Sequence, residues 1–288
     1  MYINKKSIIA GLTACLIAAG ASACTSSTTG AATAGSAADS SLSKILSSKV
    51  LRYGVIVGEE PGFIKDKDGQ WHGYLADTAQ AIADQLGLKP VPVETTWGNM
   101  ALDLKTNKID IAVGAQPSGA RALVVDYTTH PIYTNYFSLI VRDPKVNAST
   151  WAALNNPKLK IGAQTGDSTI QPIKRFAPLA QQLNFDSRDK ALLALEAGRV
   201  DVEANTLLNS LMAAKTRKDL NARVVVPEPL VAAPSAVMVA RNTDQGFLHA
   251  VDAVVWNLNS SGAVRALILK YLADYGITAA DLPPNAIL

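Results

Sequence analysis

The sequence predicts an α/β fold made of two similarly built lobes. From residue 49 onward, short apolar strands alternate with amphipathic helices, an arrangement typical of open α/β sheets. Two patterns also occur twice and in the same order. LRYG at 51–54 returns as LKIG at 159–162, and LKTNKIDI at 104–111 returns as LEAGRVDV at 195–202. Two repeats in matching order indicate two lobes with the same internal arrangement.

The elements of the first half can be assigned in chain order from their patterns. They are a strand at 50–57, a helix at 76–86, a strand at 89–95, a helix at 99–105 and a strand at 109–113. The first helix places Ile82 and Leu86 four residues apart on one face, and Gly87 ends it. Two more helices, at 244–259 and 262–275, are predicted near the end of the chain and are expected to pack on lobe 1.

Two similar strands, at 137–142 and 236–241, each end in an arginine and indicate where the chain crosses between the lobes. The predicted boundaries are lobe 1 at 46–136 and 236–288, lobe 2 at 143–230, and hinge crossings at 137–142 and 231–235.

The composition is that of a globular protein long enough for one or two domains. Of the 288 residues, 48% are hydrophobic and 18% are charged. The net charge of +3 falls to about +1 without Lys5 and Lys6, so the charge does not indicate a nucleic-acid partner. The two cysteines, Cys15 and Cys24, precede the domain, which therefore has no disulfide and no thiolate metal site.

The N-terminus has the pattern of an export signal over residues 1–23. Lys5 and Lys6 precede an apolar stretch at 8–20, which ends in the small residues of ASAC at 21–24. Cleavage after Ala23 would release a soluble protein, whereas lipidation of Cys24 would anchor it. A better lipobox at 12–15 would cut the apolar stretch in half.

Residues 24–45 are rich in Thr, Ser, Gly and Ala and are predicted to form a flexible tether. A tether has a purpose directly after a lipid anchor, and this favours Cys24 as the lipidated residue. We therefore expect an extracytoplasmic protein, in the periplasm or at the cell surface, held at the membrane by lipid.

The stretch VGAQPSGAR at 113–121 joins a buried strand to a single arginine, Arg121, through small uncharged residues. Because open α/β sheets bind ligands at the carboxyl ends of their strands, this loop is expected to reach the cleft between the lobes. From its local pattern alone, Arg121 could equally be a surface cation on the helix that follows.

Four stretches resemble, in order and spacing, the family 3 extracytoplasmic solute-binding proteins, the polar amino acid receptors of ABC importers. They are LRYGVIVGEEPGFIKDKDGQWHGYLAD at 51–77, IDIAVGAQPSGARALVVDYTTHPIY at 109–133, IGAQTGDST at 161–169 and EAGRVDVEANT at 196–206. The resemblance implies a two-lobed, type II periplasmic-binding-protein-like fold that closes on a ligand by hinge motion. It also implies an amino acid or related small carboxylate as ligand, an ABC permease as partner and a monomeric receptor.

The resemblance assigns ligand contacts in lobe 1 to the loop around Arg121. Arg121 takes the position of the family's cleft arginine, and a planar guanidinium can hold a carboxylate with two hydrogen bonds. Ser118 is a candidate N-cap of the helix that follows, and Gly114 and Gln116 stand at family contact positions.

Trp97 falls where the family lines the pocket wall, although it could simply pack between the lobes. Glu59 and Glu60 stand near the usual aromatic of the first loop. They would suit a cationic ligand if buried, or they could be solvated at the rim. Phe63 fits the core and the pocket equally well.

In lobe 2, Gly166, Asp167 and Ser168 occupy the family's Gly-Thr-Thr positions, where backbone amides and hydroxyls contact the ligand's carboxylate. Gly166 allows the backbone to approach closely. Asp167 departs from the pattern, since its charge would repel a carboxylate. It could point outward as an N-cap or bind the ligand's amine.

The family's acidic residue for the α-ammonium group falls on Thr206, beside Asn205. Threonine offers no counter-charge. Either another acid replaces it, with Asp167, Glu59 and Glu60 as candidates, or the ligand is not an ordinary α-amino acid.

An enzyme on the same fold is the alternative, because periplasmic cyclohexadienyl dehydratases share it. Glu203 or Glu59 could then serve as a general acid. The three histidines, His72, His130 and His249, have no metal-binding spacing. We expect a binding protein with no cofactor, no metal and no catalytic residue.

Overall fold

The computed structural model describes residues 41–241 and 243–282, which form an α/β structure of ten α-helices and twelve strands within those ranges. The strands are β1 (Val50–Val55), β2 (Ile64–Lys65), β3 (Trp71–His72), β4 (Lys89–Glu94), β5 (Ala112–Ala115), β6 (Val125–Tyr127), β7 (Tyr133–Val141), β8 (Lys160–Gln164), β9 (Gln181–Phe185), β10 (Val202–Thr206), β11 (Arg223–Val225) and β12 (Ala232–Ala240). The helices are α1 (Ser41–Ser48), α2 (Tyr74–Gln85), α3 (Met100–Lys105), α4 (Gly119–Ala122), α5 (Trp151–Leu154), α6 (Ile170–Phe176), α7 (Arg188–Glu196), α8 (Leu207–Thr216), α9 (Gln245–Ser260) and α10 (Ala263–Ala273).

The two lobes have sheets with the same strand order. In lobe 1 the order is β4-β1-β5-β12-β6, where a single bridge between Tyr53 and Ile111 joins β1 to β5. In lobe 2 the order is β9-β8-β10-β7-β11. Each sheet therefore consists of parallel strands followed by one long antiparallel strand and a short edge strand. The repeated sequence patterns predict two similarly built lobes, and the strand order agrees with this.

The two long strands β7 and β12 connect the lobes. They pair antiparallel where Tyr133–Tyr136 lies beside Ala232–Ser235, and then they separate. β7 continues into lobe 2 beside β10, and β12 continues into lobe 1 beside β5. The first crossing thus lies at 133–136 and not at the predicted 137–142, whose strand residues belong to lobe 2. β7 is one continuous strand of nine residues, eight of them buried, so no break in the sequence marks where the strand changes partner.

The predicted tether is too long at its C-terminal end. Ser41–Ser48 form helix α1, whose first residues bind the loop before α9. The Ser41 hydroxyl and the Leu42 amide both donate to the Asp244 carboxylate, at 2.8 and 2.9 Å. The apolar side chains of Leu42 and Ile45 pack against the core of lobe 1. The rest of the predicted tether, the signal peptide and Cys24 lie outside the described residues.

Helix α2 begins at a glycine that a larger residue could not replace. Gly73 has φ +108°, and a Cβ there would lie 2.4 Å from the carbonyl oxygen of Gly62. The backbone approach lets the amides of the first turn donate to Pro61 and Gly62. The helix then packs on α10, where the Tyr271 hydroxyl donates to Asp77 at 2.6 Å. The tail helix α10 therefore packs on the same side of lobe 1 as α2.

None of the helices in the described ranges is long and apolar enough to cross a membrane.

Candidate functional site

A small cavity lies where the two lobes meet, at the carboxyl ends of their strands. Its volume is about 20 Å³, close to the space that one water molecule needs. Six of the predicted ligand-binding residues line it: Glu59, Trp97, Gly114, Gln116, Asp167 and Thr206. Five more lining residues were not predicted: Tyr74, Leu75, Tyr133, Arg188 and Asn209. Both lobes contribute, as expected of strand ends that face one cleft.

Arg121 lies beside this cavity and bridges the lobes through backbone carbonyls. Its Nη2 donates to the carbonyl oxygen of Gly166 in lobe 2 at 2.8 Å, and its Nη1 donates to that of Gln116 at 3.2 Å. Ser118 caps α4, as predicted, by accepting a hydrogen bond from the Arg121 amide at 3.3 Å. The guanidinium is thus at the lobe boundary, but it is not part of the cavity wall.

Gln116 makes a second contact between the lobes. Its side-chain oxygen accepts a hydrogen bond from the Ser168 hydroxyl of lobe 2 at 3.0 Å. Its Nε2 donates to the hydroxyl of Ser235, on the crossing strand β12, at 2.9 Å. Ser118 and Ser168 both line a separate groove of about 400 Å³ that passes the crossing strands. The loop around Gln116 therefore separates this groove from the cavity.

A buried charge cluster forms the polar wall of the cavity. Arg188, the first residue of α7, reaches from lobe 2 to form a salt bridge with Glu59 of lobe 1. Its Nη2 also lies 3.3 Å from Oδ2 of Asp167. Glu59 is 4% exposed and Arg188 is 7% exposed, so neither group is solvated. Among the alternatives for Glu59, the structure thus excludes a glutamate at the solvated rim.

The cluster shifts the acidity of its members. Burial raises the pKa of Glu59, and the nearby charge of Asp167 adds to this, while Arg188 opposes it. Burial also acts to lower the pKa of Arg188, but the carboxylates of Glu59, Asp167 and Glu203 outweigh it and raise that pKa above its ordinary value. Arg188 is therefore held as a cation.

Asp167 points into the site and not outward. Its Oδ1 accepts a hydrogen bond from the Thr169 amide at 2.8 Å, which fixes the loop before α6, and its Oδ2 faces Arg188. The guanidinium balances a charge that would otherwise repel a carboxylate ligand. Sequence reasoning missed Arg188 because it follows the N-cap Ser187 in a charged stretch, a pattern also found on exposed helix starts.

Thr206 is linked to the cluster through Asn209. The Thr206 hydroxyl donates to the Asn209 side-chain oxygen at 3.3 Å, and Nδ2 of Asn209 donates to Glu59 at 3.3 Å. Of the three acids considered as replacements for the family's acidic residue, Glu59 and Asp167 are therefore both in the site. Glu60 does not line the cavity.

Three other predicted residues also lie outside the cavity wall. Phe63 is fully buried in the core of lobe 1, so its core assignment is the correct one. Gly166 contacts the other lobe, where a Cβ would lie 2.9 Å from the Cα of Gly98. Asn205 is buried behind Thr206. Its side-chain oxygen accepts a hydrogen bond from the Thr206 amide at 2.8 Å, and its Nδ2 donates to Glu203 at 3.3 Å.

Trp97 closes the lobe 1 side of the cavity. Its ring is buried, and the indole N–H lies near the Glu59 carboxylate. There it partly opposes the rise in the pKa of Glu59 that burial causes. The indole makes no hydrogen bond of ordinary geometry to a described residue. A buried donor of this kind is available to an acceptor on a ligand.

Buried Glu203 makes the folding stability of the protein depend on pH. It is 1% exposed, and burial raises its pKa from the ordinary 4.5 to about 8. The unfolded chain therefore loses this proton at lower pH than the folded chain, and stability falls as the pH rises from 4.5 towards 8. Glu203→Gln is expected to remove this decline, a difference of about 1 kcal/mol per pH unit.

Urea unfolding of both forms at pH 5.5 and pH 7.5 measures this difference. The exposed Glu94→Gln serves as the control, because Glu94 pairs with Lys65 at the surface. Parallel stability profiles of wild type and Glu203→Gln would contradict a protonated, buried Glu203.

Two further features of the described residues do not add to the site. A depression of about 690 Å³ lies between α1 and lobe 1, and its Arg52 and Asp110 are paired with each other. The described residues contain no group of three or more His, Cys, Asp or Glu side chains that could hold a metal ion.

A cleft between two α/β lobes of equal strand order, lined at the strand ends by charged groups from both, defines a two-lobed ligand-binding protein. Over residues 51–274 the chain matches the model of one such family. It belongs to the bacterial extracellular solute-binding proteins, family 3.

Individual relatives agree with this assignment. The chain is 22% identical to the L-cystine-binding protein TcyJ of Escherichia coli K12, over 80% of this chain and 85% of TcyJ. It is 36% identical to a cyclohexadienyl dehydratase of Pseudomonas aeruginosa, but over 27% of this chain and only 29% of the dehydratase. A solved structure, the ancestral amino acid-binding protein AncCDT-1, described as a precursor of cyclohexadienyl dehydratase, has a TM-score of 0.71 and 27% identity. That match covers 81% of this chain and 99% of AncCDT-1.

Proposed function

We propose that this protein is the solute-binding component of an ABC importer and captures an amino acid or a related small carboxylate between its lobes. The observation that carries the proposal is the set of polar contacts that join the two lobes in and beside one cavity at the strand ends. Arg121, Gln116 and Glu59 of lobe 1 each contact a lobe 2 residue there. TcyJ is an L-cystine-binding protein and AncCDT-1 is an amino acid-binding protein, which supports an amino acid ligand.

The ligand's carboxylate is assigned to Arg121. In the structure its guanidinium donates to the carbonyl of Gly166, which an incoming carboxylate would replace as a stronger, charged acceptor. The amine is assigned to Glu59 and Asp167, the two acids near the Thr206 position. Trp97 would form the wall between these ends and donate its indole N–H.

Capture is proposed to work by hinge motion about the paired strands β7 and β12. A ligand that touches both lobes binds the closed arrangement more tightly than the open one, and so it shifts the population towards closure. The closed protein would then dock as a monomer on its membrane permease. Lipidation at Cys24 would keep it at the outer face of the membrane.

A thermal-shift screen against amino acids, amines and carboxylates tests this function. A ligand present at 100 times its dissociation constant adds about 2.7 kcal/mol to folding stability, which raises the melting temperature by several degrees. Stabilisation by at least one amino acid or small carboxylate supports the proposal. A panel without any stabilising compound would contradict it.

A dehydratase is the second candidate, favoured by one observation. Glu203 is buried close to the cavity and, with a pKa of about 8, is protonated at neutral pH, as a general acid must be. The short match to the Pseudomonas dehydratase agrees with this reading. Turnover of prephenate or arogenate that Glu203→Gln abolishes would support it, and absence of turnover would reject it.

A further inference from the structure

The guanidinium of Arg188 occupies the polar half of the cleft. It extends from the start of α7 in lobe 2 and contacts Glu59 across the lobe boundary and Asp167 in its own lobe. Asn209 approaches the same Glu59 carboxylate, so the acid is enclosed by groups from lobe 2. Side chains of the protein itself therefore join the lobes at this point.

The charge around Arg188 favours a cation at this position. Around one buried guanidinium lie two buried acids, Glu59 and Glu203, and the partly buried Asp167. Glu203 is protonated at neutral pH, which leaves two carboxylates facing Arg188. A buried carboxylate without a partner costs several kcal/mol, so a cation has to stay between Glu59 and Asp167 whenever the cleft is closed.

The space around Arg188 leaves no room for a second cation. The cavity measures about 20 Å³, and its other large lining groups are the rings of Trp97, Tyr74 and Tyr133. Tyr74 and Tyr133 are held against each other by a hydroxyl contact of 3.2 Å and an edge-to-face ring contact. Arg188 has the longest and most flexible side chain in this wall, so it is the group that a ligand can displace most easily.

We propose that Arg188 is an internal competitor that selects ligands bearing a guanidinium or ammonium group, because such a group can replace it between Glu59 and Asp167. This inference rests on the proposed function, since it concerns the same cleft. A ligand without any positively charged group would have to leave Arg188 in place or leave the two carboxylates unpaired. The apparent affinity for a cationic ligand equals its intrinsic affinity reduced by the fraction of molecules in which Arg188 has moved away.

Calorimetric titration of wild type, Arg188→Ala and a control with L-arginine, L-lysine and glutarate, a carboxylate without an amine, tests the proposal. The control is Arg217→Ala, which also removes one positive charge from lobe 2. Arg217 pairs with Asp189 and Glu196 within that lobe and away from the cavity. Arg188→Ala is expected to bind L-arginine or L-lysine about tenfold more tightly than wild type, while Arg217→Ala binds like wild type.

A second variant and a second measurement cover the case in which Arg188→Ala does not fold. Arg188→Lys keeps the charge but loses the planar fork, so its affinity gain is expected to be smaller but in the same direction. Small-angle scattering of the protein without added ligand should show a larger radius of gyration for either variant than for wild type. This increase is expected because both variants weaken or lose the contact with Glu59 that joins the lobes.

Each remaining outcome overturns the inference. Weaker binding of L-arginine and L-lysine by both Arg188 variants would make Arg188 a ligand contact and leave the proposed function intact. Binding of glutarate but of neither amino acid would also reject the inference alone. If no member of the wider amino acid and carboxylate panel binds wild type or variants, the proposed function fails as well.

Discussion

Arg121→Ala is expected to weaken ligand binding by about 2–5 kcal/mol, roughly 30- to several-thousand-fold. The loss is large because the ligand's carboxylate would be enclosed between the lobes with its partner charge removed. In the structure, Arg121 already donates to Gly166 of lobe 2 and to Gln116. The substitution thus also removes a contact that holds the lobes together.

Calorimetry with the amino acid that stabilises wild type most strongly provides the measurement for Arg121. Arg175→Ala is the matched control, because Arg175 lies in the open groove beside the crossing strands and does not line the cavity. Equal affinity of Arg121→Ala and wild type would refute the assignment of the carboxylate to Arg121.

Gly166→Ala is expected to weaken binding about 10- to 100-fold. A Cβ at Gly166 would lie 2.9 Å from the Cα of Gly98 in the other lobe, closer than such atoms approach. This overlap exists only while the lobes touch, and it costs about 1–3 kcal/mol. The positive φ of +79° adds about 1 kcal/mol of strain in both open and closed arrangements, which lowers the melting temperature without changing affinity.

Gly98→Ala is the control for this overlap, since it adds a methyl group on the opposite side of the same contact between the lobes. Its Cβ would have a single neighbour, the Thr96 hydroxyl, at 3.8 Å, and would not meet Gly166. We expect its affinity to stay within about twofold of wild type. If Gly166→Ala binds as well as Gly98→Ala, then the lobe contact seen in the structure is not part of the ligand-bound state.

The two-lobed fold could be predicted because the same short sequence patterns occur in both halves of the chain and in the same order. The pair LRYG and LKIG marks β1 and β8, and the pair of helix–turn–strand patterns marks the strands that follow α3 and α7. These elements occupy equivalent positions in the two sheets. The first crossing was misplaced because the chain passes between lobes inside one continuous strand, β7, with no turn or break at the point where its partner changes.

The candidate site was predicted less completely, because burial across a cleft is a property of the fold. Glu59 and Glu60 are adjacent and chemically alike, yet only Glu59 lines the cavity and meets Arg188. Asp167 was difficult to interpret because its partner comes from a helix 21 residues further along the chain. No local pattern distinguishes Arg188, whose side chain leaves a helix start and crosses to the other lobe.

Calorimetric titration of the purified protein with the best ligand from the thermal-shift screen tests the central claim most directly. We expect saturable binding of one amino acid or small carboxylate per chain, with affinity lost in Arg121→Ala. Absence of saturable heat from every compound in the panel, or binding that Arg121→Ala and Gly166→Ala both leave unchanged, would contradict it.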